Sequence, residues 1–259
     1  MEESQLLFEL DGPIAIVTLN RPRYLNALSW EMYDGLAQAC ATVEENSSIR
    51  AMIIRGAGVK AFAAGTDISQ FEKFSGADDG LAYERKMEAT LGRLEAVSKP
   101  TIAAIEGYAV GAGAAIAIVC DLRYGGATTS IGVPISRTLG NCLSMANHAR
   151  LLDLIGPSRL KELIYRASLV DAVQAKAAGL LNDVVAHGEA FAHAKEIALD
   201  IATHAPITMR VTKEATRRLQ IQRRAADGDD LVARAYASED FHEGVAAFFA
   251  KRKPVFKGQ

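Results

Sequence analysis

The sequence predicts an α/β fold with parallel strand pairing, followed by a helical C-terminal region. Three observations carry that reading. Short β-branched runs alternate with helix-periodic stretches as far as about Ser144, the pattern of parallel α/β architecture. Beyond Ser144 the chain is nearly all helical in pattern, rich in Ala, Leu, Lys, Arg and Glu. The composition, 49% hydrophobic and 23% charged over 259 residues, is that of a folded globular chain rather than a disordered or coiled-coil one.

Taken in order, Ile14–Leu19 follows the turn residues Asp11-Gly12-Pro13 and reads as a strand. Ser29 is placed to cap a helix in which Trp30, Tyr33, Leu36, Cys40 and Val43 recur at helical spacing. A strand at Ala51–Arg55 leads into a Gly/Ala loop, and a helical stretch runs from about Leu81 to Val97. Lys99-Pro100 ends it, because proline disfavours helix in the residue before it. Thr101–Ile105 is the next strand, and after a glycine-interrupted turn the apolar run Ala114–Val119 reads as a buried helix. In the second half Gly156-Pro157 and Gly179 punctuate the helices, and Asp183–Val185 is the one further strand signal. This divides the chain into a core, 1–195, and a helical C-terminal region, 196–259.

Several function classes are excluded early. Lys+Arg 29 against Asp+Glu 31 leaves a net charge of −2, with no basic cluster beyond Lys251-Arg252-Lys253, so nucleic acid is not an expected partner. The three cysteines, Cys40, Cys120 and Cys142, form no CxxC pair, which argues against a disulfide framework or a structural zinc. The five histidines lack ligand spacing, and no metal is expected. The acidic start, MEESQLLFEL, lacks the layout of a signal peptide. The uncharged stretch Gly107–Cys120 is shorter than the about 20 residues a membrane span needs. A cytoplasmic protein with no membrane partner is the expectation.

The sharpest local feature is the turn Gly107-Tyr108-Ala109-Val110-Gly111-Ala112-Gly113 between a strand and a helix. Read as a dinucleotide fingerprint it fails, since Ile116 stands where the third glycine belongs and no acidic residue follows about 20 positions on. Two readings remain: small residues for close helix–sheet packing, or main-chain N–H groups at a helix N-terminus that meet developing negative charge. A similar Gly/Ala segment, Lys60-Ala61-Phe62-Ala63-Ala64-Gly65-Thr66-Asp67-Ile68, follows an earlier strand. Two such loops, each at the exit of a parallel strand, could supply one N–H apiece to a single carbonyl oxygen.

These loops come with further motifs in order along nearly the whole chain. They are Asn20-Arg21-Pro22 with Leu25-Asn26-Ala27-Leu28, Lys99-Pro100 with Ile102-Ala103-Ala104, Cys120-Asp121, Ala175–Leu180, Glu243–Phe248 and Lys251–Pro254. Together they resemble the enoyl-CoA hydratase/isomerase, or crotonase, superfamily. The resemblance implies a spiral of ββα units, a helical region used for trimer assembly (alone or as a dimer of trimers), and an acyl-CoA substrate. It implies no cofactor apart from the coenzyme A of that substrate. The oxyanion donors it points to are the amides of Ala64 and Ala112; Ala112 replaces a usual glycine, tolerable with a negative φ. The segment with Arg23, Tyr24, Leu25 and Ala27 would line coenzyme A, with Arg23 near a phosphate. Ala61, Gly65, Thr66 and Ile68 from the first loop, and Tyr108, Val110 and Gly111 from the second, would surround the thioester. Pro134, Ile135 and Leu139 would wall the acyl pocket, and Phe248 and Lys251 would reach a neighbouring subunit's coenzyme A.

The resemblance breaks at the acid–base positions. The family's hydratases use two glutamates around one water. Here Ala115 and Ile135 stand at the matching places, and no Asp or Glu occurs from Leu122 through Leu152. Ordinary two-glutamate hydration is therefore not expected. Three residues are candidates to replace it: Asp67 beside the first loop, Glu88 where the resemblance to the superfamily's halobenzoyl-CoA dehalogenases implies a side chain facing the acyl pocket, and Cys142 as a thiol opening a helix. Glu84 falls one turn earlier, nearer the mouth. Tyr124 and Arg137 are polar groups expected near the pocket wall. The expected function is acyl-CoA processing with the thioester carbonyl in a backbone oxyanion hole. The rivals are an isomerase, thioesterase or C–C hydrolase of the same fold using Glu88 or Cys142, and a non-catalytic acyl-CoA-binding protein.

Overall fold

Two sheets of unequal depth organise the chain. The computed structural model describes residues 4–223 and 228–259. Met1–Glu3 and residues 224–227 lie outside the described residues. A hairpin, β1 (Leu6–Asp11) and β2 (Ile14–Leu19), turns at Gly12, and Ser29 caps α1 (Trp30–Glu45) by accepting from the Met32 amide at 3.3 Å. Three strand–strand–helix turns follow. The first is β3 (Ala51–Gly56), β4 (Ala61–Ala63) and α2 (Ala77–Ala96). The second is β5 (Thr101–Ile105), β6 (Tyr108–Val110) and α3 (Ala112–Val119). The third is β7 (Leu122–Gly126), β8 (Ser130–Gly132) and the short α4 (Ile135–Thr138), leading to α5 (Met145–Tyr165).

The first strand of each turn joins the deep six-stranded sheet, ordered β1-β2-β3-β5-β7-β10, where β10 is Asp183–Val185. The second strands form a shallow sheet ordered β4-β6-β8-β9, with β9 at Val170–Asp171 followed by α6 (Ala172–Ala178). Pairing is parallel except at the outer pairs β1–β2 and β8–β9. This is the expected ββα spiral. Its consequence for function is direct: β4, β6 and β8 run side by side, so the loops leaving them open at one edge.

The strands β2, β3 and β5 are apolar because both faces of the deep sheet are covered. On one face α7 (Ala190–Ala202) lays Ala194 and Ala198 against Ile14, Ile16, Ile53, Ile102 and Tyr124. The other face is the main core, with α1, α2 and α3. Tyr124 belongs to the α7 side, edge-on to His193 at 4.8 Å, and not to the pocket wall.

The remaining helices are α8 (Pro206–Arg223), α9 (Asp229–Tyr236) and α10 (Glu239–Phe249). The division expected at residue 195 falls inside α7, which packs on the deep sheet. Nor does the C-terminal region stand apart. Tyr236 of α9 presses its ring on Gly80 of α2, where any Cβ would collide with it.

Boundaries moved for local reasons. Helix α2 begins at Ala77, before the expected Leu81, with Asp78 and Asp79 in its first turn, where carboxylates favour the N-terminal end of the dipole. Helix α3 begins at Ala112 because Gly111, at φ 54°, turns the chain there. Among the described residues no helix is long and apolar enough to cross a membrane.

Candidate functional site

The first loop is fixed by main-chain bonds to the Arg21–Leu28 segment. The Ala64 amide donates to the Leu25 carbonyl at 3.0 Å, Leu28 donates to Gly65 O at 2.8 Å, and Asp67 donates to Leu28 O at 2.9 Å. Ala64 is therefore not a free oxyanion donor, and the expectation for it is corrected: its N–H is occupied. Leu28 and Thr66 form a parallel bridge in which Leu28 makes both bonds, so the Thr66 N–H faces the opposite side of the loop.

On that opposite side lies the second loop. A Cβ on Gly65 would sit 3.6 Å from Val110 O, and one on Gly111 would sit 3.7 Å from the Gly65 Cα. Both glycines have positive φ, 110° and 54°, which side-chain-bearing residues rarely adopt. Ala112 is the first residue of α3, and first-turn amides have no acceptor within the helix. It is absent from the residues of positive φ, so the alanine fits where a glycine is usual. Gly113 performs the packing role: its Cβ would drive into the Ala63 carbonyl. The packing reading of the glycine turn therefore holds at Gly113.

The Thr66 side chain is held from beneath. Its hydroxyl lies 2.8 Å from Tyr33 Oη and 2.7 Å from Tyr83 Oη, and Tyr83 donates onward to Met87 Sδ at 3.5 Å. The chain then has one consistent direction, Tyr33 to Thr66 to Tyr83 to sulfur. Burial pushes the Tyr33 hydroxyl up to about 12 and Tyr83 well above its ordinary value, so both stay protonated. Asn26, buried with φ 55°, donates to Ala57 O at 3.1 Å and Ala61 O at 2.8 Å and accepts from the Arg21 amide at 3.0 Å. That residue ties the Arg21–Leu28 segment to the start of β4. The sequence signalled it through its motif, and Tyr33 and Tyr83 only as helix-face residues.

The three candidates for acid–base or nucleophilic work are placed elsewhere. Glu88 is gripped by Arg150 through two bonds of 2.6 Å, and Arg150 also reaches Glu95 at 3.0 Å. This pairing corrects the expectation that Glu88 stands over the acyl pocket as a base. Asp67 bonds Arg21 at 2.9 Å and accepts from the Ser69 amide at 3.1 Å to cap the turn Ile68–Phe71. Burial opposes its charge, but the bonds from Ser69 and Arg21 keep its carboxyl below the ordinary range. Its role is to fix the loop. Cys142 does not open a helix: Ser144 caps α5, two residues on. Burial and the neighbouring Glu84 push the thiol up to about 12, which leaves almost no thiolate at neutral pH.

Of the expected lining, Gly65, Thr66, Val110 and Gly111 come together at the loop contact. Ala61 lies at the start of β4, Ile68 opens the turn after Asp67, and Tyr108 is half exposed on β6. Pro134 precedes α4, where Ile135 and Leu139 are buried. Arg23, Tyr24 and Leu25 are exposed on a single 3-10 turn, with the Arg21 guanidinium 4.7 Å from the Tyr24 ring, and Ala27 is half buried. Phe248 lines a cleft with Arg137 and Leu139, and Lys251 is exposed just past α10.

Glu84, expected nearer the mouth, is instead buried at 5% exposure. Tyr236 Oη donates to its Oε1 at 2.9 Å, Asn141 Nδ2 donates to Tyr236 Oη at 3.1 Å, and Glu84 Oε2, beside the Ser144 main chain, makes no hydrogen bond of good geometry. Burial pushes its carboxyl up to about 7, although the Tyr236 bond pulls the other way. Among the described residues no group of three or more His, Cys, Asp or Glu is arranged to hold a metal.

The ββα spiral thus brings its two glycine-bearing loops together at one edge, with Gly65 against Val110 and Gly111. The enoyl-CoA hydratase/isomerase family model matches residues 9–259, and the chain belongs to that family. It is 34% identical over 256 residues to the short-chain-enoyl-CoA hydratase of Clostridium acetobutylicum, covering 98% of this chain and 97% of that protein. Among solved structures it resembles an enoyl-CoA hydratase/carnitine racemase from Magnetospirillum magneticum, with 36% identity, TM-score 0.81, and 100% and 97% of the two chains covered. It also resembles methylmalonyl-CoA decarboxylase in complex with 2-nitronate-propionyl-CoA, with 30% identity, TM-score 0.89, and 98% and 99% covered.

Proposed function

We propose that this acyl-CoA-processing enzyme holds the thioester carbonyl between the amides of Thr66 and Ala112 and works through a thioester enolate, not by two-carboxylate hydration. The observation that carries this reading is the Gly65–Gly111 contact, with the Thr66 N–H turned away from the Leu28 bridge on one side and the first-turn amide of Ala112 on the other. Donors fixed in place before reaction stabilise charge as it develops, and removal of one such donor costs roughly 10²–10³-fold in rate. Water activation is left out because Ala115 and Ile135, both buried, carry no proton-transferring group. The substrate-bearing unit is proposed to be a homotrimer, singly or as a dimer of trimers, as the family resemblance implies.

Decarboxylation of a 2-carboxyacyl thioester is a second reading, favoured by the likeness to methylmalonyl-CoA decarboxylase. The bond to the carboxylate breaks, CO₂ leaves, the electron pair passes to the thioester oxygen, and the carbon then takes a proton. No activated water is needed.

The test is calorimetric titration with acyl-CoA thioesters together with a crotonyl-CoA hydration assay. The expected result is binding, with hydration slower than in two-glutamate relatives by about 10⁴-fold or more, since each acid–base group contributes roughly 10²–10⁴. Robust hydration would overturn the mechanism, and absence of binding the substrate class.

A further inference from the structure

We propose that Glu84 is the proton-transfer group of this site, a role that rests on the acyl-CoA reading above. The argument is one of elimination and connection. Of the other acidic candidates, Glu88 is held by Arg150 and Asp67 by Arg21. Glu84 has no ion pair among the described residues, is buried, and its Oε2 makes no hydrogen bond of good geometry, with the Ser144 main chain the nearest donor to it. A buried acceptor without a well-formed bond is costly, and a catalytic role is one of the reasons such a group persists.

The position of Glu84 fits that role. Tyr83, its neighbour on α2, bonds the hydroxyl of Thr66, whose amide is one proposed oxyanion donor. The Tyr83 and Tyr236 rings lie 6.2 Å apart, and Tyr236 bonds Glu84. On the other side Asn141 bonds Tyr236, just after the Ile135–Leu139 wall. Tyr236 therefore links Glu84 to Asn141, which follows the Ile135–Leu139 wall. The groups facing Glu84 are Tyr83 and Glu88 on its own helix, Tyr236 on α9, and Asn141, Cys142 and Ser144 before α5. Arg150 is taken up by Glu88, Glu95 and Asn147.

In the proposed step the Cα–H bond of a bound thioester breaks and the proton passes to the Glu84 carboxylate. The electron pair moves to the thioester oxygen, held by the Thr66 and Ala112 amides. The reverse transfer returns the proton to carbon. Such a base works best when its own titration lies near the working pH, which burial brings about here.

The test uses the full chain and butyryl-CoA in D₂O, following deuterium at the acyl α-carbon by NMR beside calorimetric binding. Wild type should exchange. Glu84→Gln should lose at least about ten-fold of the exchange rate while the dissociation constant moves less than about two-fold, in line with the loss of one acid–base group. Tyr236→Phe removes a donor that favours the charged carboxylate, so the midpoint of exchange against pH should move upward. Circular dichroism checks folding, and Tyr236→Phe serves if Glu84→Gln fails to fold. Equal exchange by wild type and Glu84→Gln, an unmoved midpoint in Tyr236→Phe, or binding without exchange in wild type overturns the role of Glu84. Absence of butyryl-CoA binding overturns the underlying site reading instead.

Discussion

Arg150 and Glu88 face each other fork to fork, two parallel hydrogen bonds of 2.6 Å joining helix α5 to helix α2. Arg150 is 3% exposed and the Glu88 side chain 34%, so the pair lies between the surface and buried regimes. Exposed pairs contribute about 0–1 kcal/mol, and breaking a fully buried one costs about 3–5. Glu88→Gln should therefore cost about 1–3 kcal/mol in urea unfolding while leaving acyl-CoA chemistry nearly intact. A large loss of turnover with unchanged stability would return Glu88 to the site.

Ala112→Pro tests the second proposed oxyanion donor with the helix start preserved. Ala112 is the first residue of α3, the helix position that best accepts proline, and the substitution removes the N–H of interest and puts the ring Cδ in its place. Turnover of any accepted substrate should fall roughly 10²–10³-fold with the far-ultraviolet spectrum preserved. Retained turnover would remove the Ala112 amide from the mechanism.

Glu84 makes stability depend on pH in a direction opposite to most carboxylates. Its folded value, about 7, lies above the ordinary 4.5, so the folded state holds its proton more tightly. The contribution is fully present below about 4.5 and is lost as pH rises through about 7. At about 1.4 kcal/mol per unit, the loss on going to alkaline pH is about 3 kcal/mol. Thermal unfolding of Glu84→Gln at about pH 5 and about pH 8.5 should show a flatter profile than wild type. Parallel profiles would contradict the burial argument.

Helix α8 carries Ile207, Val211 and Leu219 on one stripe, exposed at 74%, 60% and 65%. Apolar patches beyond roughly 300–600 Å² on a monomer normally mark an interface. Light scattering at micromolar concentration is expected to give about three or six times the chain mass. A clean monomer would exclude trimer assembly.

The sequence by itself determined the parts of this protein that depend on local pattern. Strands β2, β3, β5 and β10 were legible, three of them as β-branched runs, and α1 was legible from Ser29 and its helical spacing. Strands β4, β6 and β8 were not, because three residues of largely small side chains carry no period to read. The two loops were visible as chemistry, since glycine and alanine beside strand ends leave the main chain open. Which amide is free was a matter of tertiary structure: Leu25 O occupies Ala64, and the Leu28 bridge turns Thr66 the other way. The same holds for the carboxylates. Glu84 and Glu88 are one helical turn apart and alike in sequence. Arg150 of α5 claims one, and Tyr236 of α9 covers the other. A side chain's charge is local, but its partners and its access to water come from helices folded against it from far along the chain.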